Sequence, residues 1–183
     1  EGGKLRGQQG ITLRTGELNN QLGQISGASI NIESKTLENS QGKILAEQKL
    51  QLRLQEGYQA NKGRIEAGEG EISAKVFKQS DESAVVSMGV LRINTQDALV
   101  NTDSLLFSRN QLDVTASHIN SSRGKMVSEK GRLTVDARGR DLISEQGLLK
   151  GGSAVSLKSG NLNNRAGRIE SGGELSLQAQ TVN

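Results

Sequence analysis

The chain has no proline, no cysteine and no tryptophan, and aromatic residues make up only 2% of it. Each absence excludes something. Without cysteine there are no disulfides and no thiolate metal site. With Tyr58, Phe77 and Phe107 as the whole aromatic complement and 33% apolar residues overall, 183 residues cannot fill a thick globular core. They can fill a thin one, a single side chain deep and repeated along an axis. Proline lacks the N–H that a sheet ladder needs, so its absence suits long runs of paired strands. The net charge of +3 comes from 23 basic and 20 acidic residues, with no block of like sign, so nucleic-acid binding is not indicated. No apolar run approaches membrane-spanning length, and no signal peptide is visible.

What the chain does have is 23 glycines and a repeat. Anchors stand at Gly3, Gly23, Gly42, Gly63, Gly124, Gly147 and Gly167, with Ser83 and Ser104 taking the same slot in between. The steps are 20, 19, 21, 20, 21, 20, 23 and 20 residues. Two residues past each anchor the side chain is apolar: Leu5, Ile25, Ile44, Ile65, Val85, Leu106, Met126, Leu149 and Ile169. Four past, it is small: Gly7, Gly27, Ala46, Ala67, Ser87, Ser108, Ser128, Gly151 and Ser171.

A second strand follows in each unit. Its inward pairs are expected at Ile11/Leu13, Ile30/Ile32, Leu50/Leu52, Ile72/Ala74, Leu91/Ile93, Leu112/Val114, Leu133/Val135, Val155/Leu157 and Leu175/Leu177, each around a polar residue. That alternation marks a half-buried strand. A corner slot holds Leu18, Leu37, Tyr58, Leu99, Ile119, Leu142, Leu162 and Val182. Asn20, Asn39, Ala60, Asn101, Ser121, Ser144 and Asn164 lie two residues later; the unit through Phe77 and Ser80 fits this frame loosely.

No unit can close a sheet alone, so the units must stack, with each strand parallel to its copy in the next coil. The expected fold is all-β: a right-handed parallel β-helix (β-solenoid) of about nine coils with roughly 20 residues per coil. At about 4.8 Å per coil the rod is on the order of 40 Å long. Residues 1–183 are expected to be one segment of a longer repeat rod. Its terminal strands lack an evident cap and are therefore prone to end-to-end association. Hexapeptide helices, the calcium-binding nonapeptide and leucine-rich repeats do not match this period.

The stretches LNNQLGQISGASINIES, LENSQGKILAEQKLQL and LNNRAGRIESGGELSLQAQTVN resemble the haemagglutinin repeats of filamentous haemagglutinins. These are bacterial two-partner secretion exoproteins, among them adhesins and the toxin-delivery proteins of contact-dependent growth inhibition. The resemblance is clearest over residues 3–54 and 124–183; residues 77–111 depart from it. It implies a secreted or cell-surface rod, exported by an outer-membrane two-partner secretion transporter. Its partner would be a protein or glycan on a host or neighbouring cell. No secretion-domain motif or C-terminal toxin is visible.

Polysaccharide lyases and hydrolases share the β-helix, so a carbohydrate-active enzyme is the alternative. It would need clustered carboxylates or a basic residue in a groove. The outward slot of the second strand reads Thr12, Asn31, Gln51, Ser73, Arg92, Asp113, Thr134 and Ser156, with no carboxylate on carboxylate, while Glu66 and Glu170 lie far apart. His118, the one histidine, is expected on the surface, where it can form neither a triad nor a histidine metal site. No catalytic, cofactor or metal residues are assigned. Two outward rows of the first strand are more informative. Val86, Phe107 and Val127 fall on consecutive coils and should stack into an apolar stripe, beside Ala84 and Leu105 where the neighbouring row loses its charges; the alternative is that a loop of the same chain covers it or that the frame slips by one here. Apart from Gln24 and Leu148, the rest of that row, Lys4, Lys43, Arg64, Lys125 and Arg168, is a basic ladder; such a row is more often only a solvated face, though it also suits anionic glycans or lipopolysaccharide.

Overall fold

In a computed structural model, which describes residues 2–183, the chain forms one sheet of 20 strands wound into stacked coils, with no helix among the described residues. All strand pairings are parallel, and each joins a strand to its copy about 20 residues away. Coils are numbered 1 to 9 from their anchors. The first-strand ladder runs Leu5–Ile25–Ile44–Ile65–Val85–Leu106–Met126–Leu149–Ile169 without a slip, straight through the two serine anchors. Coils 1 to 3 each hold one long strand, Lys4–Asn19, Gln24–Glu38 and Lys43–Asn61. From coil 5 the coil breaks at its corners into three short strands, as in Ala84–Ser87, Val90–Thr95 and Ala98–Asn101.

The corner before each anchor is a tight turn. The residue ahead of every anchor is left-handed: Gly2, Leu22, Gln41, Lys62, Glu82, Asp103, Arg123, Gln146 and Ala166, with φ from 52° to 69°. For the eight that are not glycine this costs about 1 kcal/mol or more each. In most coils a turn hydrogen bond compensates, as in Gly23 N to Asn20 O (3.0 Å) and Gly124 N to Ser121 O (2.9 Å). The anchor is therefore not glycine for its own φ. A Cβ on Gly42 or Gly124 would strike the carbonyl oxygen of Asn20 or Asn101, at the corner just ahead of the previous coil's anchor. Ser83 fits because coil 4 spends one more residue on its turn, with Asp81 and Glu82 both at positive φ. The Ser83 hydroxyl then donates to Ser80 O (2.7 Å) and accepts from Gly63 N (3.1 Å).

Two parts of the sequence frame change. In coil 4 the inward pair is Gly70/Ile72, not Ile72/Ala74: Gly70 pairs with Leu50 and Leu91, and Ile72 with Leu52 and Ile93. Glu71, not Ser73, thus stands in the outward slot. Gly70 is tolerated in the core because Leu91 fills the space, its Cδ1 lying 2.8 Å from where a Cβ would sit. Ala74 occupies a further inward slot, with Ser34, Leu54, Thr95, Ala116, Ala137 and Ser159, all buried. The corner of coil 4 also fits the frame closely. Phe77 pairs with Tyr58 and Leu99, and Gln79 takes the asparagine slot.

Stacking puts like on like. The Tyr58 and Phe77 rings lie 4.7 Å apart and 19° from parallel. Burial pushes the Tyr58 phenol well above its ordinary range, and its oxygen accepts a bond from Asn39 (3.4 Å). The asparagine slot forms buried amide chains. Asn20 Nδ2 donates to Asn39 Oδ1 (2.7 Å), Gln79 Nε2 to Asn101 Oδ1 (2.6 Å), and Asn101 Nδ2 to Ser121 Oγ (2.9 Å).

Candidate contact surface

The outward rows decide what the rod presents to its surroundings. On the first-strand face, pairing sets Val86 against Phe107 and Phe107 against Val127, with Ala84 against Leu105 and Leu105 against Lys125. The predicted stripe is therefore assembled in register. Val86, Phe107, Val127 and Leu105 are half-buried against one another, while Ala84, also in that row, is buried and offers little surface. Two more apolar residues lie near the stripe, Leu148 of the same row and Met88, which the sequence reading did not single out. Leu148 pairs with Lys125 one coil on, and Met88, 55% exposed, stands at the corner beside Val86.

Charge borders this face. In coil 4, Glu66 accepts from Arg64 (2.5 Å) and reaches Lys43 (3.7 Å); those cations hold its carboxyl below the ordinary range, the Arg64 hydrogen bond first. In coil 9, Glu170 pairs with Arg168 and with Lys150 (3.3 Å). The basic row is in register from Lys4 to Arg168, interrupted by Gln24, Ala84, Leu105 and Leu148.

The other faces are polar. The second strand's outward row runs Thr12, Asn31, Gln51, Glu71, Arg92, Asp113, Thr134, Ser156 and Ser176, with Arg92 and Asp113 paired at 3.5 Å. Next to it, Glu33 bridges Arg14 (3.1 Å) and Arg53 (3.2 Å) across three coils, lining a shallow groove with Lys35 and Ser73. Such exposed pairs contribute about 0.2–1 kcal/mol each. His118 is exposed beside the corner residue Ile119. Among the described residues no three His, Asp or Glu side chains are grouped to hold a metal ion.

One side chain skips a coil. Arg138 in coil 7 donates to Thr95 O (2.7 Å), Gln96 O (3.0 Å) and Asn94 Oδ1 (2.8 Å) in coil 5. It passes the corner of coil 6, where Ala116 and Ser117 are small. No local pattern around Arg138 announces this; only the aligned coils show that a long side chain faces a narrow neighbour.

The haemagglutinin repeat family matches the chain in four overlapping stretches, residues 1–53, 36–103, 65–140 and 129–183. The chain belongs to the haemagglutinin repeat family. These stretches include residues 77–111, where the sequence departs most from the repeat. A curated relative, the tRNA nuclease CdiA of Yersinia mollaretii, is 27% identical over 147 residues, which is 80% of this chain and 5% of that protein. This chain thus spans a small fraction of that relative's length. No solved structure matches it. A haemagglutinin-repeat rod is therefore what the outward rows decorate.

Proposed function

We propose that this chain is a structural and adhesive segment of a rod on a secreted or surface-bound bacterial exoprotein. The observation that carries this reading is the first-strand ladder, unbroken through nine coils, which makes one continuous spacer. Its work is mechanical: it holds whatever lies beyond it away from the cell and presents side-chain rows along its length. In this reading the rod is not a catalyst, because its outward rows alternate polar, cationic and apolar residues without a pair of carboxylates set to share a substrate.

The reading places the chain within a longer rod, in keeping with its small share of the CdiA relative. Coils 1 and 9 stack on one side only, which leaves Leu5, Leu175 and Leu177 at 48%, 46% and 41% exposure. Further repeats, or the ends of other copies, fit these edges. Export would use an outer-membrane two-partner secretion transporter. The partner is a protein or glycan of a host or neighbouring cell, met through the stripe of Val86, Leu105, Phe107 and Val127.

The test is cell binding and glycan binding by the purified chain, alongside a reducing-sugar assay on polysaccharides. Binding that falls with Phe107→Ser, without sugar release, supports the proposal. Turnover of any polysaccharide would overturn the rod reading, and unchanged binding by the variant would overturn the stripe's role.

A further inference from the structure

The apolar area does not end at random. Along the first-strand face, the two outward slots of successive coils read Arg64/Glu66 in coil 4, Ala84/Val86 in coil 5, Leu105/Phe107 in coil 6, Lys125/Val127 in coil 7, Leu148/Lys150 in coil 8 and Arg168/Glu170 in coil 9. The apolar centre is thus bounded by coil 4 on one side and, past coils 7 and 8 with one lysine each, by coil 9 on the other; coils 4 and 9 each carry one cation and one anion. We propose that this face is a pairing surface for a second copy of the same chain, laid side by side with its axis parallel. The inference rests on the reading of the stripe as a contact surface and names its partner.

The pairing geometry follows from symmetry. A two-fold axis along the rod opposes the strand directions, so the first outward slot of each coil faces the second slot of the same coil in the other copy. Leu105 then meets the other copy's Phe107, and Ala84 its Val86. Arg64 faces the other copy's Glu66, and Arg168 its Glu170, each twice by symmetry. Lys125 lays its aliphatic stem over the other copy's Val127. Lys43 and Lys150 likewise lay their stems over the other copy's Leu45 and Leu148, and the one like-charge contact is Lys4 against Arg6, at the far end of the face.

Antiparallel pairing centred on coil 6 is worse. It gains Glu66 against Lys150, but sets Lys43 against Arg168 and Glu170 against Leu45. Charge complementarity therefore selects the parallel arrangement, which is also the one available to two rods rooted on one surface. Nine coils at about 4.8 Å and four residues at about 3.3 Å give a face of roughly 500 Å² per copy. That sits near the lower limit of about 1,000 Å² in total for a specific interface, so the dimer should be weak and reversible.

The chain has no cysteine, so a spin label can be placed at one site only. Sedimentation equilibrium of the unlabelled chain should show a monomer–dimer equilibrium that closes at two. Phe107→Ser should weaken it at least tenfold while leaving the β-sheet circular dichroism unchanged. Glu66→Arg should weaken it, and Arg64→Glu combined with Glu66→Arg should restore it. A label on Gln24→Cys should report another label within about 20 Å in the parallel dimer, against about 38 Å in the antiparallel one.

A chain that stays monomeric at every concentration overturns the pairing. So does the longer label distance, and so do open-ended polymers that Phe107→Ser leaves intact, since these would join through coils 1 and 9. If the chain is monomeric yet Phe107→Ser abolishes cell binding, the pairing fails and the stripe remains a contact surface. If neither property changes, both readings fail.

Discussion

Asn101 lies fully buried at the corner of coil 5 and bonds to residues of coils 4, 6 and 7. Its Oδ1 accepts from Gln79 Nε2 (2.6 Å), and its Nδ2 donates to Ser121 Oγ (2.9 Å) and to Lys125 O (3.2 Å). Replacing Asn101 with alanine removes all three bonds and leaves a small gap. Gln79 keeps a bond to Leu105 O (3.1 Å), and the Ser121 hydroxyl can turn, so two of the three partners lose only part of their satisfaction. The Lys125 carbonyl loses its side-chain donor. An intramolecular hydrogen bond contributes about 1 kcal/mol net, and an abandoned buried group costs about 1–3 kcal/mol. The expected loss is therefore roughly 2–4 kcal/mol. Urea unfolding followed by circular dichroism reads it as a lower midpoint at unchanged slope. Asn101→Ser should recover part of the loss, because a hydroxyl can serve some of the same partners. A loss below about 0.5 kcal/mol for Asn101→Ala would refute the view that the amide chain holds the corner together.

Phe77→Ala should cost about 3–4 kcal/mol in the same assay, since it empties a fully buried slot and removes the ring stacked on Tyr58. Arg138→Ala should cost about 1 kcal/mol and raise amide hydrogen exchange near Asn94–Gln96 as well as in coil 7, because its bonds skip coil 6; a change confined to coil 7 counts against the clamp. Asp103 accepts two 2.7 Å bonds from Arg123, and this hydrogen bonding holds its carboxyl below the ordinary 3.8. A depressed folded value means that the pair's contribution is present above pH ~4 and is lost as pH falls through the folded value. An NMR titration should find Asp103 titrating below its ordinary value, and Arg123→Ala should return it there.

Most of the fold is legible in the sequence because stacking makes each slot repeat its chemistry. Leu5 through Ile169 could be aligned from spacing alone, and the structure pairs them in that order. The frame slipped where a residue type misrepresents its environment. Gly70 does not look like a core residue, yet it is one, because Leu91 from the next coil occupies its volume. Gln79 was hidden by a turn one residue longer, which moved the expected polar slot to Ser80. The role of glycine at the anchor was also not visible: spacing shows that the slot is conserved in type along the chain, but only the stacked coils show the carbonyl that a Cβ would strike. The stripe of Val86, Phe107 and Val127 was legible because it needs only the register. The Arg138 bonds were not, because they depend on how far one side chain reaches past a narrow coil.

The central claim is that coils 5 and 6, anchored by Ser83 and Ser104, lie inside one continuous stack. Spin labels at Asn31→Cys and Ser156→Cys, on the outward row of the second strand in coils 2 and 8, measure this directly. Six coil steps at about 4.8 Å predict a narrow distance distribution near 29 Å, before allowance for the label tethers. A distance near 19 Å would mean that the two serine-anchored coils are looped out of the stack, and would contradict the account.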